Sequence, residues 1–389
     1  MTRRVLFAGG GTAGHVTPAL ATAAALRALP EVMAAGGVEV EFVGTVAKIE
    51  ATMVPQAGYH LHAVAAQPLA RTLSPSALIA PAVVVQAALG VARIIRRREV
   101  VAAATFGGYV SGPLALASLL TRTPLVLHEQ NAVPGLANRI AGRWAREVAT
   151  SVAGTEQRFA HPERVTVTGN PVRADLLSAA AGAGRQEALR AFGLDPARRT
   201  LLVFGGSLGA RRINDAVVGA GAQLASRGGV QVLHATGASE HDRVRAAWNA
   251  ADAGLRVVCL PFVERMDLAY AAADVVLCRS GASTLAELTA LGLPSVLVPY
   301  PHSLADEQTA NARALTEAGA ALLVPDAELD ADRLRREVEP LLADDARRAR
   351  MGTAARALGH PDAARSVAAL IVRAAPVLRS SATMGRTTT

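Results

Sequence analysis

RRVLFAGGGTAGHVTP, residues 3–18, sets a short apolar run against a glycine-rich turn and the start of an alanine-rich segment, and this order decides how the chain folds. RRVLFA is expected as a strand, GGGTAGH (9–15) as a turn, and the stretch from about Thr17 to Leu29 as a helix. Pro18 suits the first turn of such a helix, where a missing N–H leaves no partner unsatisfied. Further strands are expected at VEVEFVG (38–44), VVAAATF (100–106), PLVLHEQ (124–130) and VTVTGNP (165–171), with helical segments between them. The pattern then restarts: TLLVFGG (200–206) is a strand, GGSLGA (205–210) a second glycine turn, and a helix begins near Arg211. Strands at VQVLHAT, RVVCLPF, ADVVLCRSG and PSVLVPYP keep the same rhythm. Alternation at this spacing implies an α/β chain with two doubly wound parallel sheets, each covered by helices on both faces. Ligands of such sheets bind beyond the carboxyl ends of the strands, so two such edges facing each other would form a cleft.

The expected domains are 1–172 and 173–375, the last helix free to pack back on the first domain, with 376–389 as a disordered tail. The linker is placed near 171–199, where AAAGAGRQ and LDPARR interrupt the apolar periodicity. A chain of 389 residues exceeds what one core organises, and a 51% apolar composition supplies two. The formal charge of +8 is concentrated early: residues 1–170 hold 15 basic and 9 acidic side chains, the remainder 25 and 23. A basic first half suits an anionic membrane or a pyrophosphate-bearing substrate. Nucleic acid is not expected, because no basic stripe with interleaved aromatics is present. Lys48 is the sole lysine and lies in no glycine loop, which argues against Schiff-base and P-loop chemistry. Cys259 and Cys278 form no CxxC pair and are expected as buried thiols. The apolar stretch Val5 to Ala8 is too short for a signal peptide.

Thr72 to Ala92 contains no charge and is followed by Arg93, Arg96, Arg97 and Arg98. Its length invites a test as a membrane span, which Pro75, Pro81 and Gln86 weaken. An interfacial helix on anionic lipid and an ordinary core helix are the two other readings.

Gly9, Gly11 and Gly14 satisfy GxGxxG between a strand and a helix, the setting for phosphate binding at a helix N-terminus. A dinucleotide dehydrogenase would place an acidic residue at the end of the second strand, and here Gly44 and Thr45 stand instead. His15, at the loop's far edge, is placed to take a proton from an attacking hydroxyl. GGSLGA offers backbone N–H groups and the Ser207 hydroxyl to a second phosphate, or is simply a tight turn. In CRSGASTLAELTALGLPSVLVPYP (278–301) a polar turn leads to a helix starting at Thr284, with Glu287 on its first turn. A carboxylate there can accept hydrogen bonds from ribose hydroxyls or merely compensate the helix dipole. Asp330 and Asp332 form a DxD triplet, read as a helix cap rather than a metal ligand.

GGGTAGHVTPAL, FGGYVSGP, LHEQNAVPGLANR, TGNPVR, GGSLGARRIN, CRSGASTLAEL and DEQTANA resemble, in order over about residues 5–315, the motifs of the lipid I N-acetylglucosaminyltransferase (MurG) family. The resemblance implies the GT-B glycosyltransferase fold, inversion at the anomeric carbon and UDP-N-acetylglucosamine as donor. It implies an acceptor, undecaprenyl-pyrophosphoryl-muramyl-pentapeptide, whose sugar 4-hydroxyl is the nucleophile, and a peripheral location at the cytoplasmic face of the cell membrane on an anionic surface. By the same matching, His15 is the candidate base, and Thr12, Ala13, Gly14 and Asn131 would contact the donor sugar. Arg173 and Ser207 would hold the pyrophosphate, Val263 would lie beside the uracil, and Ala282, Ser283, Thr284, Leu285, Ala286 and Glu287 would line the nucleotide pocket, Glu287 on the ribose. Gln308 would bind the N-acetylglucosamine, while Gly11 and Tyr109 would face the acceptor. Many members carry glycine where Ala13 stands, and some have paired glutamines where Glu307 precedes Gln308. No cofactor and no protein-held metal are expected. A UDP-N-acetylglucosamine 2-epimerase or another GT-B glycosyltransferase is the alternative reading, and donor incubated without acceptor separates epimerase from transferase.

Overall fold

In the computed structural model, residues 3–64, 75–179, 184–206, 209–251 and 254–379 are described. By internal contacts the chain forms two units, one running to Arg173 and resuming at His360, the other spanning Ala174–Gly359. The last helix therefore groups with the first unit, the packing that the sequence leaves open to it.

The first unit holds seven parallel strands: β1 (Arg4–Ala8), β2 (Glu39–Gly44), β3 (His60–Ala63), β4 (Val100–Thr105), β5 (Leu125–Glu129), β6 (Glu147–Thr150) and β7 (Val165–Val167). Their order across the sheet is β3-β2-β1-β4-β5-β6-β7, so the winding reverses between β1 and β4. β1 is buried from Val5 to Ala8, as a strand covered on both faces must be. Phe7 packs with Phe42 and Phe106 on one face, and the helix Ala363–Ala374 completes that core against the helix Ala13–Ala28. Pro376–Leu378 adds a short 3-10 turn with Leu378 fully buried, so ordered packing runs beyond residue 375. The rest of the expected tail, residues 380–389, lies outside the described residues.

The second unit holds six parallel strands: β8 (Arg199–Phe204), β9 (Val230–Ala235), β10 (Arg256–Leu260), β11 (Val275–Cys278), β12 (Ser295–Leu297) and β13 (Ala321–Leu323). Their order is β10-β9-β8-β11-β12-β13, with the reversal between β8 and β11. The strands expected from sequence are all present, and β3, β6 and β13 are additions. The expected linker instead carries two helices, Ala174–Ala179 and Gly184–Ala191, separated by residues outside the described set. Cys278 is fully buried as expected, whereas Cys259 is only half-buried.

The apolar segment before the arginine cluster forms the helix Pro75–Arg98; residues 72–74 lie outside the described residues. Among the described residues no helix is long and apolar enough to cross a membrane. Ala87, Ala88, Val91, Ala92 and Ile95 face the core, while Val85, Leu89, Arg93, Arg96 and Arg97 are exposed. Arg98 turns inward instead, donating from Nε to the buried carboxylate of Glu41 at 3.0 Å.

Candidate active site

In the first unit the candidate residues collect beyond the carboxyl ends of β1, β4 and β5, beside the reversal in strand order. The first helix starts at Ala13, four residues earlier than expected, so Ala13, Gly14 and His15 lie in its first turn. Thr12 is extended (φ −139°, ψ 157°) and its carbonyl accepts the His15 and Val16 N–H groups at 3.1 and 3.3 Å. Pro18 then falls in the second turn, where it forgoes its bond to the Gly14 carbonyl.

His15 Nδ1 lies 3.1 Å from the Gly10 carbonyl and 3.1 Å from the Thr12 hydroxyl. A carbonyl can only accept, so the proton sits on Nδ1 and Nε2 keeps its lone pair. The packed ring has its pKa lowered from 6.5, by burial first, against the opposing pull of the Gly10 bond and the Glu50 charge. His15 is therefore neutral, and an acceptor of protons, at neutral pH. Gly107 (φ 90°) lies under the imidazole, where a Cβ would come within 2.6 Å of Cδ2. Tyr109 packs against Gly11, whose Cβ would stand 2.8 Å from Cε1 of that ring. Gly11, His15 and Tyr109 are thus brought together.

A residue that sequence reasoning passed over completes this group. Glu50, fully buried at the start of the helix Glu50–Gln56, accepts the Gly11 N–H at 3.0 Å and the Thr45 N–H and hydroxyl at 3.2 and 2.8 Å. The Tyr109 hydroxyl donates to the same carboxylate at 3.2 Å. Burial raises the Glu50 pKa, but these donors, Gly11 foremost, outweigh it and hold the carboxyl below the usual range. The acid missing from the end of β2 at Gly44 is supplied six residues later, with its lone pairs already committed inside the protein.

Asn131 follows β5. Its backbone N–H donates to Glu129 at 3.0 Å, and Gly135 N–H and Asn138 Nδ2 reach the other Glu129 oxygen at 3.2 and 2.8 Å. Glu129 is buried, which raises its pKa despite these bonds, and it ties the loop carrying Asn131 into one piece. Arg173 is exposed at the end of the first stretch of this unit.

In the second unit, candidate residues lie beyond β8, β10, β11 and β12. Ser207 lies outside the described residues, but its flanks are defined: Gly206 and Gly209 have φ of 86° and 74°. A Cβ on Gly209 would stand 2.1 Å from the Thr236 carbonyl oxygen, so this turn is pressed against the end of β9. Asn214, in the helix Arg211–Gly219, donates to that carbonyl at 3.0 Å and receives His234 Nε2 at 3.0 Å. Trp248 Nε1 donates to His234 Nδ1 at 3.1 Å, which fixes the proton on Nε2. Burial pushes the His234 pKa down to about 3, so this support for the loop stays uncharged.

The helix after β11 spans Ala282–Leu291, beginning two residues before Thr284. Glu287 therefore sits in its second turn, where the helix dipole has faded, so dipole compensation accounts poorly for it. Its Oε2 accepts the hydroxyl of the buried Tyr270 at 2.7 Å, a partner that no local motif reveals. Ala282, Ser283, Thr284 and Ala286 are partly exposed, whereas Leu285 is buried in the unit. Val263 is likewise buried, beside the exposed Phe262. Gln308 lies at the start of the helix Glu307–Glu317, its Oε1 accepting Tyr300 N–H at 2.9 Å, which leaves the amide Nε2 as the donor it can present. Ala305 and Asp306, just before it, both adopt left-handed backbone (φ 49° and 53°), a strain that side-chain-bearing residues accept mainly at functional loops. Asp330 caps the helix Ala331–Ala343 by accepting Arg333 N–H at 2.7 Å, as expected of the DxD triplet. Among the described residues no group of three or more His, Cys, Asp or Glu side chains is arranged to hold a metal ion.

Residues 5–150 match the glycosyltransferase family 28 N-terminal domain and residues 200–367 its C-terminal domain. A protein of Frankia casuarinae is 44% identical over 98% of both chains, and one of Acidothermus cellulolyticus is 45% identical over 96% of this chain and 99% of its own. Both carry the name UDP-N-acetylglucosamine–N-acetylmuramyl-(pentapeptide) pyrophosphoryl-undecaprenol N-acetylglucosamine transferase. The crystal structure of Acinetobacter baumannii MurG superimposes with a TM-score of 0.73 at 29% identity, covering 95% of this chain and 99% of that one. A Listeria monocytogenes structure described as a UDP-N-acetylglucosamine 2-epimerase reaches a TM-score of 0.68 at 16% identity over 96% of each chain, a likeness of fold alone. Near-full-length identity on one side and a bare likeness of fold on the other decide between the two readings left open by the sequence: the chain belongs to glycosyltransferase family 28 and, within it, to the MurG family of N-acetylglucosamine transferases.

Proposed function

We propose that this protein transfers N-acetylglucosamine from UDP-N-acetylglucosamine to the 4-hydroxyl of the muramyl sugar of undecaprenyl-pyrophosphoryl-muramyl-pentapeptide. The observation that carries this reading is the near-full-length identity to transferases named for that reaction, supported by a polar loop set at the carboxyl edge of each sheet. His15 Nε2 takes the proton of the attacking hydroxyl, while Nδ1–H, held by the Gly10 carbonyl, keeps the ring in the right tautomer. The oxygen then forms its bond to the anomeric carbon as the bond to UDP breaks, inverting the centre without a covalent enzyme intermediate. Charge on the departing diphosphate is met by Arg173, Ser207 and the N–H groups at the starts of the helices Arg211–Gly219 and Ala282–Leu291. Glu287 receives the ribose hydroxyls, main chain at Val263 meets the uracil, and Asn131 and Gln308 hold the sugar. Thr12, Ala13 and Gly14 contact the donor sugar, and Gly11 and Tyr109 face the acceptor.

The test is a transfer assay with radiolabelled UDP-N-acetylglucosamine and a short-chain acceptor analogue, run beside other sugar nucleotides and in the presence of a chelator. Label in the disaccharide lipid is the expected result, undiminished by chelation. Release of an epimerised sugar from donor alone would instead favour an isomerase.

We place the protein peripherally on the cytoplasmic face of the membrane, against anionic lipid. Helices Pro75–Arg98, Ser111–Thr121 and Leu136–Ala141 are neighbours and expose Val85, Leu89, Leu119, Leu120, Leu136 and Ile140, with Arg93, Arg96 and Arg97 beside them. Apolar insertion and anionic attraction then act together, each basic residue near the surface adding about 1 kcal/mol. The double variant Arg96→Glu, Arg97→Glu is expected to lower partitioning onto phosphatidylglycerol vesicles by at least about tenfold, at that energy per charge. Turnover of a soluble acceptor analogue should remain; equal sedimentation of variant and wild type with the vesicles would refute this placement.

A further inference from the structure

The glycine loop after β1 has the sequence of an anion cradle, yet one of its amides is already bonded to an anion from inside the protein. The Gly11 N–H, which in a phosphate-binding loop would point at the ligand, donates to Glu50 Oε2 at 3.0 Å. Glu50 is fully buried and, among the described residues, takes hydrogen bonds donated by Gly11, Thr45 (two) and Tyr109. Its place is enforced by small neighbours: a Cβ on Gly10 would lie 3.0 Å from its carboxyl carbon, and one on Gly44 2.8 Å from its Cγ. Gly108 closes the loop from the other side, its absent Cβ leaving room for the Gly10 carbonyl. The titratable groups around Glu50 are His15, whose ring its charge reaches, and Tyr109, whose hydroxyl it holds.

We propose that Glu50 is the positioning residue that assigns the first glycine loop to an uncharged sugar hydroxyl: it fills the anion position from inside the protein, repels phosphate from the loop, and steadies the positive charge that forms on His15. This rests on the transferase reading and on His15 as its base. A buried carboxylate one hydrogen bond away from the Gly11 amide opposes a second negative charge there, whereas a hydroxyl pays no such penalty. When His15 takes the proton, the imidazolium gains an anion nearby, much as the buried acid of a catalytic triad stabilises its histidine. Thr45 and Tyr109 keep the carboxylate ionised and aimed at Gly11, so that one group sets the loop, the acceptor-side tyrosine and the base together.

Glu50→Gln tests this, since it removes the charge at nearly constant shape. The expected result is a plateau kcat about tenfold lower, with donor KM unchanged and the acid limb of the kcat–pH profile moved to lower pH, because a neutral neighbour makes His15 a weaker base. Inorganic phosphate should then shift the His15 ring resonance in the variant and leave it unmoved in the wild type. A folded variant with an unmoved profile and no phosphate response overturns the proposal, as a merely structural glutamate would give. Should Glu50→Gln not fold, the phosphate titration of the wild type decides alone: an unmoved His15 signal supports the assignment and a saturable shift overturns it. An inactive wild type would count against the transferase reading, whereas an active one with an indifferent variant counts against Glu50 only.

Discussion

His15→Ala is expected to lower kcat by about 10²–10⁴-fold, the usual contribution of a positioned general base, while the affinity for UDP changes little. The size of the effect follows from geometry. A sugar hydroxyl is a poor nucleophile at neutral pH, and in the first unit the Nε2 lone pair of His15 is placed above Gly107 with its tautomer set by the Gly10 carbonyl. His15→Gln, which keeps a polar side chain without a basic nitrogen, should lose nearly as much. The pH dependence has a definite sign. His15 works as the neutral imidazole, and its pKa lies below 6.5, so the rate should fall as pH drops through a value below 6.5 and stay level through neutrality. Initial rates of disaccharide-lipid formation across pH measure this. Near-normal turnover by His15→Ala, with saturation kinetics intact, would remove the residue from the mechanism.

Glu287→Ala should produce the second largest effect, on donor binding rather than on turnover. A hydrogen bond to a charged group is worth about 1.5–3 kcal/mol, so the dissociation constant for UDP should rise about 10- to 150-fold. Tyr270→Phe should act in the same direction and more weakly, because it removes the 2.7 Å bond that aims the carboxylate but leaves the carboxylate itself. Calorimetry with UDP and with 2′-deoxy-UDP separates a ribose contact from a general loss of fold. The wild type should prefer UDP and Glu287→Ala should not; an unchanged preference in the variant would show that Glu287 does not meet the ribose.

Short-range pattern was enough to read the repeating strand, glycine turn and helix, because the central strands, such as β1, β5, β8 and β9, are covered on both faces and show up as apolar runs bounded by turn residues. For the same reason β3 (HLHA) was invisible: it is an edge strand of mixed polarity, with no buried face along its full length. The helices begin at Ala13 and Ala282, earlier than the local signals of Pro18 and Thr284 indicate, because the extended residues Thr12 and Gly281 decide where helical backbone begins. Recognition of the family needed only the order of seven motifs, and His15, Tyr109, Asn131, Glu287 and Gln308 could be named from them as candidates. Glu50, Glu129, Tyr270 and Asn214 could not. Their work is done on atoms 2 to 59 positions away by side chains turned into the interior, as Glu129 on Asn131 and Glu50 on Thr45 and Tyr109. A linear chain records which groups exist and which neighbours they have in order; burial of a carboxylate beneath a glycine, and the hydrogen bonds that keep it charged there, come into being only when separate loops converge at one sheet edge.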